Sequence, residues 1–121
     1  MAVILIIDDS PTELHLFQNM LEKNGFETLV ADSGEEGLRQ AQASRPDCIL
    51  MDVVMPGMNG FQATRNLNQD PKTSSIPVII ITSKDQETDK IWGMRQGAVE
   101  YLVKPIREND LVAKINAVMA D

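Results

Sequence analysis

A single cysteine, Cys48, stands in this chain of 121 residues, so no internal disulfide can staple the fold, in agreement with a reducing compartment. The longest apolar run, Ala2 to Ile7, is far shorter than the ~20 residues needed to cross a bilayer. No basic stretch precedes that run and no small-residue cleavage site follows it, so a secretory leader is not expected and the cytoplasm is the expected location. Basic stripes, internal repeats, low-complexity segments and linkers are also missing. The net charge of −7 and a pI of about 4.6 oppose direct binding to a phosphate backbone, which disfavours nucleic acid as a partner.

What is present suits one domain. Hydrophobic residues make up 43% and charged residues 24%, the balance of an ordinary globular protein, and 121 residues leave room for one core. The chain reaches Asp121 inside or just after its last helix, so no effector domain is expected on it.

Five apolar or β-branched stretches alternate with five helix-like ones. The strands are expected at Val3 to Ile7, Glu27 to Ala31, Cys48 to Met51, Val78 to Ile81 and Val99 to Val103. Between them the spacing turns helical, as in Leu14, Phe17, Leu21 and again in Leu111, Ile115, Val118. Ser10-Pro11-Thr12-Glu13 reads as a helix start, with a capping Ser, a Pro in the first helical position and a Glu in the third. Ser33-Gly34-Glu35-Glu36 and Ser83-Lys84-Asp85-Gln86 repeat that spacing and predict two further starts. Gly25 and Gly97 follow helical stretches, where a left-handed residue is wanted.

Such βα alternation predicts an α/β fold, a single doubly wound, flavodoxin-like domain with a five-stranded parallel sheet and five helices. The segments at 3–7, 48–51 and 78–81 are continuously apolar, as strands covered on both faces must be. Glu27-Thr28-Leu29-Val30 and Val99-Glu100-Tyr101-Leu102 carry polar residues and suit edges. With right-handed crossovers this favours the order 2-1-3-4-5. Ligands of such sheets bind beyond the carboxyl ends of the strands, in the crevice between the first and third.

The chemistry-bearing residues converge on that rim. Asp8 and Asp9 follow the first strand, Asp52 the third; Thr82 ends the fourth and Lys104-Pro105 the fifth. Two unit charges 4 Å apart interact by about 4 kcal/mol at an effective dielectric near 20, so three carboxylates in one crevice need a hard cation, a shared proton or Lys104 as counter-charge. Oxygen ligands favour Mg²⁺, with Mn²⁺ as a substitute, and no second Cys or His-rich cluster exists for a softer metal. A carboxylate facing a metal and a lysine is suited to accept a phosphoryl group, with Thr82 donating a hydroxyl hydrogen bond to it.

The ordered set Ile7-Asp8-Asp9-Ser10, Met51-Asp52-Val53-Val54-Met55-Pro56-Gly57-Met58-Asn59-Gly60, Ile81-Thr82-Ser83 and Val103-Lys104-Pro105 resembles the CheY-like receiver domain of two-component response regulators. The resemblance covers essentially the whole chain, 1–121. It implies that Asp52 takes a phosphoryl group from a phosphohistidine, and that Asp9, Asp52 and the Val54 carbonyl ligate Mg²⁺ directly while Asp8 contributes through water. Thr82 and Lys104 would contact the phosphoryl group, and the Lys104–Pro105 bond would be cis. Tyr101 matches the aromatic switch position, whose ring moves inward and remodels the face formed by the fourth helix, fifth strand and fifth helix. The implied partners are a CheA-type or other sensor histidine kinase or phosphotransfer domain and a protein target, with the chain itself a monomer. No enzyme activity beyond slow loss of its own phosphoryl group is implied. Ile106 departs from the Phe common after Lys-Pro, and Val54 and Lys84 occupy positions that vary with phosphoryl lifetime.

A finer resemblance lies in Asp9-Ser10-Pro11-Thr12-Glu13, Asn59-Gly60-Phe61-Gln62-Ala63-Thr64-Arg65 and Lys84-Asp85-Gln86-Glu87-Thr88-Asp89-Lys90. These segments are similar to the stand-alone regulators of type IV pilus twitching motility, which serve chemotaxis-like systems.

Each residue also has a plainer explanation. Asp8 and Asp9 alone would suit a solvated turn before a helix. Asp52 would suit a turn, Thr82 a strand or cap, Lys104 a loop, and Tyr101 an edge strand half covered by the fourth helix. It is their joint convergence that favours function. His15 is expected on an exposed helix face and Cys48 in the core. Trp92 and Met94 are packing residues unless exposed, in which case they mark a partner surface. Competing functions are a phosphate sink without a target, an aspartyl-nucleophile phosphatase using Asp8, and a flavin or nucleotide binder. The second lacks the Asp-x-Asp spacing and a cap domain; the third lacks a Gly-rich loop after the first strand.

Overall fold

The computed structural model describes residues 1–120. Its elements alternate without exception: β1 (Val3–Ile7), α1 (Pro11–Lys23), β2 (Glu27–Ala31), α2 (Gly34–Ser44), β3 (Cys48–Met51), α3 (Gly60–Gln69), β4 (Val78–Thr82), α4 (Glu87–Arg95), β5 (Glu100–Val103) and α5 (Glu108–Met119). All strand pairs are parallel, in the order β2-β1-β3-β4-β5. The polar strands β2 and β5 are the edges and the continuously apolar β1, β3 and β4 lie inside, as the residue pattern requires.

The period-2 alternation of side chains divides the core in two. Leu5, Ile7, Ile49, Met51, Val78 and Ile80 face one way and meet Ala41 of α2 and Ala63 and Leu67 of α3. Ile4, Ile6, Cys48, Leu50, Ile79 and Ile81 face the other way, against Phe17 and Leu21 of α1 and Leu111 and Ile115 of α5. Helices therefore cover both faces, and every strand pointing to the same rim delivers its carboxyl end there.

Helix ends follow the local signals at α1 and α2. Ser10 Oγ accepts from the Glu13 N–H at 3.3 Å and Ser33 Oγ from the Glu36 N–H at 3.1 Å. Gly25 and Gly97 take positive φ, 88° and 113°, as chain reversal after α1 and α4 demands. The start expected at Ser83 is not used. The α4 helix begins at Glu87, with Gln86 as its cap and no side-chain cap hydrogen bond. The Lys84 backbone is engaged elsewhere: its N–H donates to Thr82 Oγ1 at 3.3 Å and its carbonyl accepts from the Tyr101 hydroxyl at 2.9 Å. Those two bonds tie the segment after β4 to the rim and to Tyr101. Strand limits differ by one residue at two places. Thr82 joins β4, paired with Val103, and Val99 precedes β5, although its N–H still donates to the Val78 carbonyl at 2.9 Å.

No helix among the described residues is long and apolar enough to cross a membrane.

Candidate functional site

Three backbone hydrogen bonds continue the sheet past the ends of its strands and set the site. The Asp8 N–H donates to the Ala31 carbonyl at 3.1 Å, the Asp52 N–H to the Ile7 carbonyl at 2.9 Å, and the Lys104 N–H to the Thr82 carbonyl at 2.8 Å. Asp8, Asp52 and Lys104 are thus anchored by the ladder of the sheet, with their side chains directed to the same crevice. The Lys104–Pro105 peptide bond is cis.

Carboxylate oxygens of Asp8, Asp9 and Asp52 all lie within 4.8 Å of one another. Asp8 is buried and Asp9 exposed, so the cluster opens to solvent on one side. The Lys104 ammonium sits 3.2 Å from Asp8 Oδ2 and 3.7 Å from Asp52 Oδ1. Burial pushes the Asp52 carboxyl up to about 6, and the charge of Asp8 adds to the effect while Lys104 opposes it. Burial pulls the Lys104 ammonium down, but the Glu13 hydrogen bond and the charges of Asp52 and Asp8 outweigh it and leave its pKa raised. The crevice therefore resists a third negative charge and retains its positive one. An all-carboxylate donor set, crowded and open on one side, fits a hard divalent cation that keeps some of its water.

Thr82 is fully buried at the end of β4, next to Val103 and one residue from Lys104 across the ladder. Its hydroxyl accepts from the Lys84 N–H, and the Lys84 carbonyl accepts from the Tyr101 hydroxyl, so both side chains are tied to the backbone of one residue. Tyr101 is only 6% exposed, more deeply covered than an edge-strand aromatic half shielded by α4. Its ring lies against Gly93 of α4, where a Cβ would come within 2.9 Å of Cδ2. Burial, with Asp89 and Asp85 nearby, pushes its phenol up to about 12, so the hydroxyl keeps its proton and remains a donor. Tyr101→Phe is expected to leave the Lys84 carbonyl without this partner and to cost about 1 kcal/mol of stability in a urea melt. An unchanged midpoint would show that the bond contributes nothing.

The plainer expectations for other residues hold: His15 is exposed and Cys48 is fully buried, its thiol pushed up to about 12 by burial. Trp92 and Met94 are 49% and 42% exposed, which sets them apart from the core. Glu13 belongs to the site as well, although its sequence context points only to helix capping. Its carboxylate lies 2.8 Å from the Lys104 ammonium, nearer than any other. Its placement in the first turn of a helix that starts at the acidic rim was the available signal.

A doubly wound sheet with an acidic triad and a lysine at the carboxyl ends of β1, β3 and β5 is the arrangement of a signalling receiver domain, and the chain belongs to that class: residues 4–116 match the response regulator receiver domain family. Over 120 residues the chain is 59% identical to Protein PilH of Pseudomonas aeruginosa, covering 99% of both chains. The structure is similar to the chemotaxis protein CheY4 of Vibrio cholerae, with a TM-score of 0.92 and 31% identity over 98% of each chain. It is also similar to the receiver domain of the sensor histidine kinase PA1611 of P. aeruginosa, with a TM-score of 0.92 and 26% identity over 99% of this chain and 98% of that one. That neighbour has a magnesium ion coordinated in its active-site cleft.

Proposed function

We propose that the chain is a single-domain response regulator that accepts a phosphoryl group on Asp52 from a phosphohistidine of a sensor kinase or phosphotransfer domain. The observation that carries this is the Asp52 carboxylate at the end of β3, flanked by Asp8 and Asp9 and 3.7 Å from the Lys104 ammonium. An Asp52 oxygen forms the bond to phosphorus as the phosphorus–nitrogen bond of the donor breaks, and the imidazole leaves to be protonated. Lys104 and the Thr82 hydroxyl offset charge on the phosphoryl oxygens. Mg²⁺ would be held by Asp9, Asp52 and the Val54 carbonyl, with Asp8 through water, and Mn²⁺ would serve in its place. Bound there, the ion supplies positive charge that permits carboxylate and phosphoryl oxygens to meet.

The added charge, about −1.5 to −2 at pH 7, acts first on Thr82. From there the Lys84 backbone, bonded to Thr82 through its N–H and to Tyr101 through its carbonyl, leads to α4, so movement of the threonine shifts the packing beneath the α4–β5–α5 face. Exposed apolar side chains on α4 and β5, Ile91, Trp92, Met94 and Val103, suit this part of the surface to a protein target. This favours an output regulator over a phosphate sink. The similarity to Protein PilH supports assignment to pilus-based motility under a chemotaxis-like kinase.

Acetyl phosphate with Mg²⁺ is the direct test. One phosphoryl group is expected on the peptide that contains Asp52, together with a change in the emission of Trp92, the sole tryptophan. Both should vanish with a chelator. Phosphorylation without Mg²⁺, or on another residue, would overturn the assignment. Retention of a target equally by both forms in a pull-down would overturn the output reading alone.

A further inference from the structure

The Glu13 carboxylate is diverted from the role that its position in α1 suggests. In a complete capping box the third helical residue reaches back to the N–H of the cap. Here the Ser10 N–H donates to Asp8 Oδ1 at 3.0 Å, while Ser10 Oγ still accepts from the Glu13 N–H. The Glu13 carboxylate turns instead to Lys104, at 2.8 Å, against 3.2 Å for Asp8 and 3.7 Å for Asp52. Phe17, one turn further along the same helix face, places its ring centroid 5.8 Å from the same ammonium. The α1 helix thus grips Lys104 twice.

We propose that Glu13 is a positioning residue that holds Lys104 toward α1 and competes with the phosphoryl group for its ammonium, so restraining phosphorylation. The proposal rests on the reading of Asp52 as phosphoacceptor. Lys104 and Glu13 side chains are 18% and 30% exposed, so the pair is screened less than a surface ion pair. Three carboxylates, those of Asp8, Asp52 and Glu13, lie within 3.7 Å of one ammonium. Removing the Glu13 charge leaves Asp8 and Asp52 as the remaining acidic partners of Lys104, beside the place where a phosphoryl group would attach. The same removal makes the crevice less attractive to a cation. Anion and cation affinities should therefore move in opposite directions, which a general loosening of the fold would not produce.

The test is calorimetric titration of wild type, Glu13→Gln, Lys104→Met and the double variant, with beryllofluoride at saturating Mg²⁺ and with Mg²⁺ alone. Glu13→Gln keeps the backbone N–H that Ser10 caps, so the helix start is retained. It is expected to bind beryllofluoride about fivefold more tightly and Mg²⁺ alone about twofold more weakly. The beryllofluoride gain should disappear in the Lys104→Met background, as a residue acting through the lysine requires. Equal or weaker beryllofluoride binding by Glu13→Gln, or a gain that persists without Lys104, overturns the role of Glu13 and leaves the receiver reading intact. No beryllofluoride binding by the wild type overturns both.

Discussion

Asp52→Asn is expected to abolish phosphorylation by acetyl phosphate and, at the same time, to make the protein more stable at neutral pH. The first effect is chemical, because an amide is too poor a nucleophile to take the phosphoryl group. The second follows from the cost of the buried charge. The Asp52 carboxyl rises from 3.8 to about 6 on folding, chiefly through burial and then through Asp8. A folded-state pKa above the unfolded one means that the native form holds the proton more tightly. Stability contributed by this group is therefore intact below about pH 4 and is lost as pH rises through about 6. The amide cannot ionise, so the variant should lack this decline. Urea melts of both proteins between pH 4 and 7.5, in chelator, would show the curves diverging as pH rises. Parallel curves would mean that Asp52 ionises freely in the folded protein. Adding Mg²⁺ should restore much of the loss in the wild type alone, since binding to the native state stabilises by mass action.

Gly60→Ala is expected to destabilise the fold by about 3 kcal/mol and to impair the site with it. Gly60 opens α3 directly after the loop from β3, and its N–H donates to the Val53 carbonyl at 2.9 Å. A Cβ there would press on the Asp52 carbonyl oxygen and lie 2.8 Å from both the Asp52 carbonyl carbon and the Val53 Cα. All three neighbours are backbone, so no rotamer change relieves the contact. The chain that must shift is the one that carries Asp52. Alanine is the better helix former, so a propensity effect would have the opposite sign. A urea midpoint at or above the wild-type value, or an unchanged rate of phosphorylation by acetyl phosphate, would show that the loop yields without disturbing Asp52.

The route from the crevice to the α4 face is short because the backbone of one residue, Lys84, is bonded to both. It binds the Thr82 hydroxyl with its N–H and the Tyr101 hydroxyl with its carbonyl. Absence of a side chain at Gly93 makes room for the Tyr101 ring, and Ile80 closes the pocket from the sheet. The same arrangement explains why α4 starts late. A helix beginning at Ser83 would turn the Lys84 carbonyl into the helical ladder, where a helical N–H would compete with Tyr101 for it.

The strands, their order and the rim on which the acidic residues gather were all determined by local pattern. Continuous apolar runs can exist only under helices on both sides, as in β1, β3 and β4, and polar strands must be edges. Once that order stands, Asp8, Asp9, Asp52, Thr82 and Lys104 can reach only one end of the sheet. Ser10 and Ser33 capped their helices because capping involves neighbours a few residues apart. Tertiary structure alone decided the start of α4, the depth of Tyr101 and the choice of Glu13 as the closest partner of Lys104. Each of these depends on groups far apart in the chain competing for the same hydrogen bond or charge. Spacing along a sequence reports which helix face or strand edge a residue occupies, but the winner of such a competition is set by distances that exist only after the elements have packed.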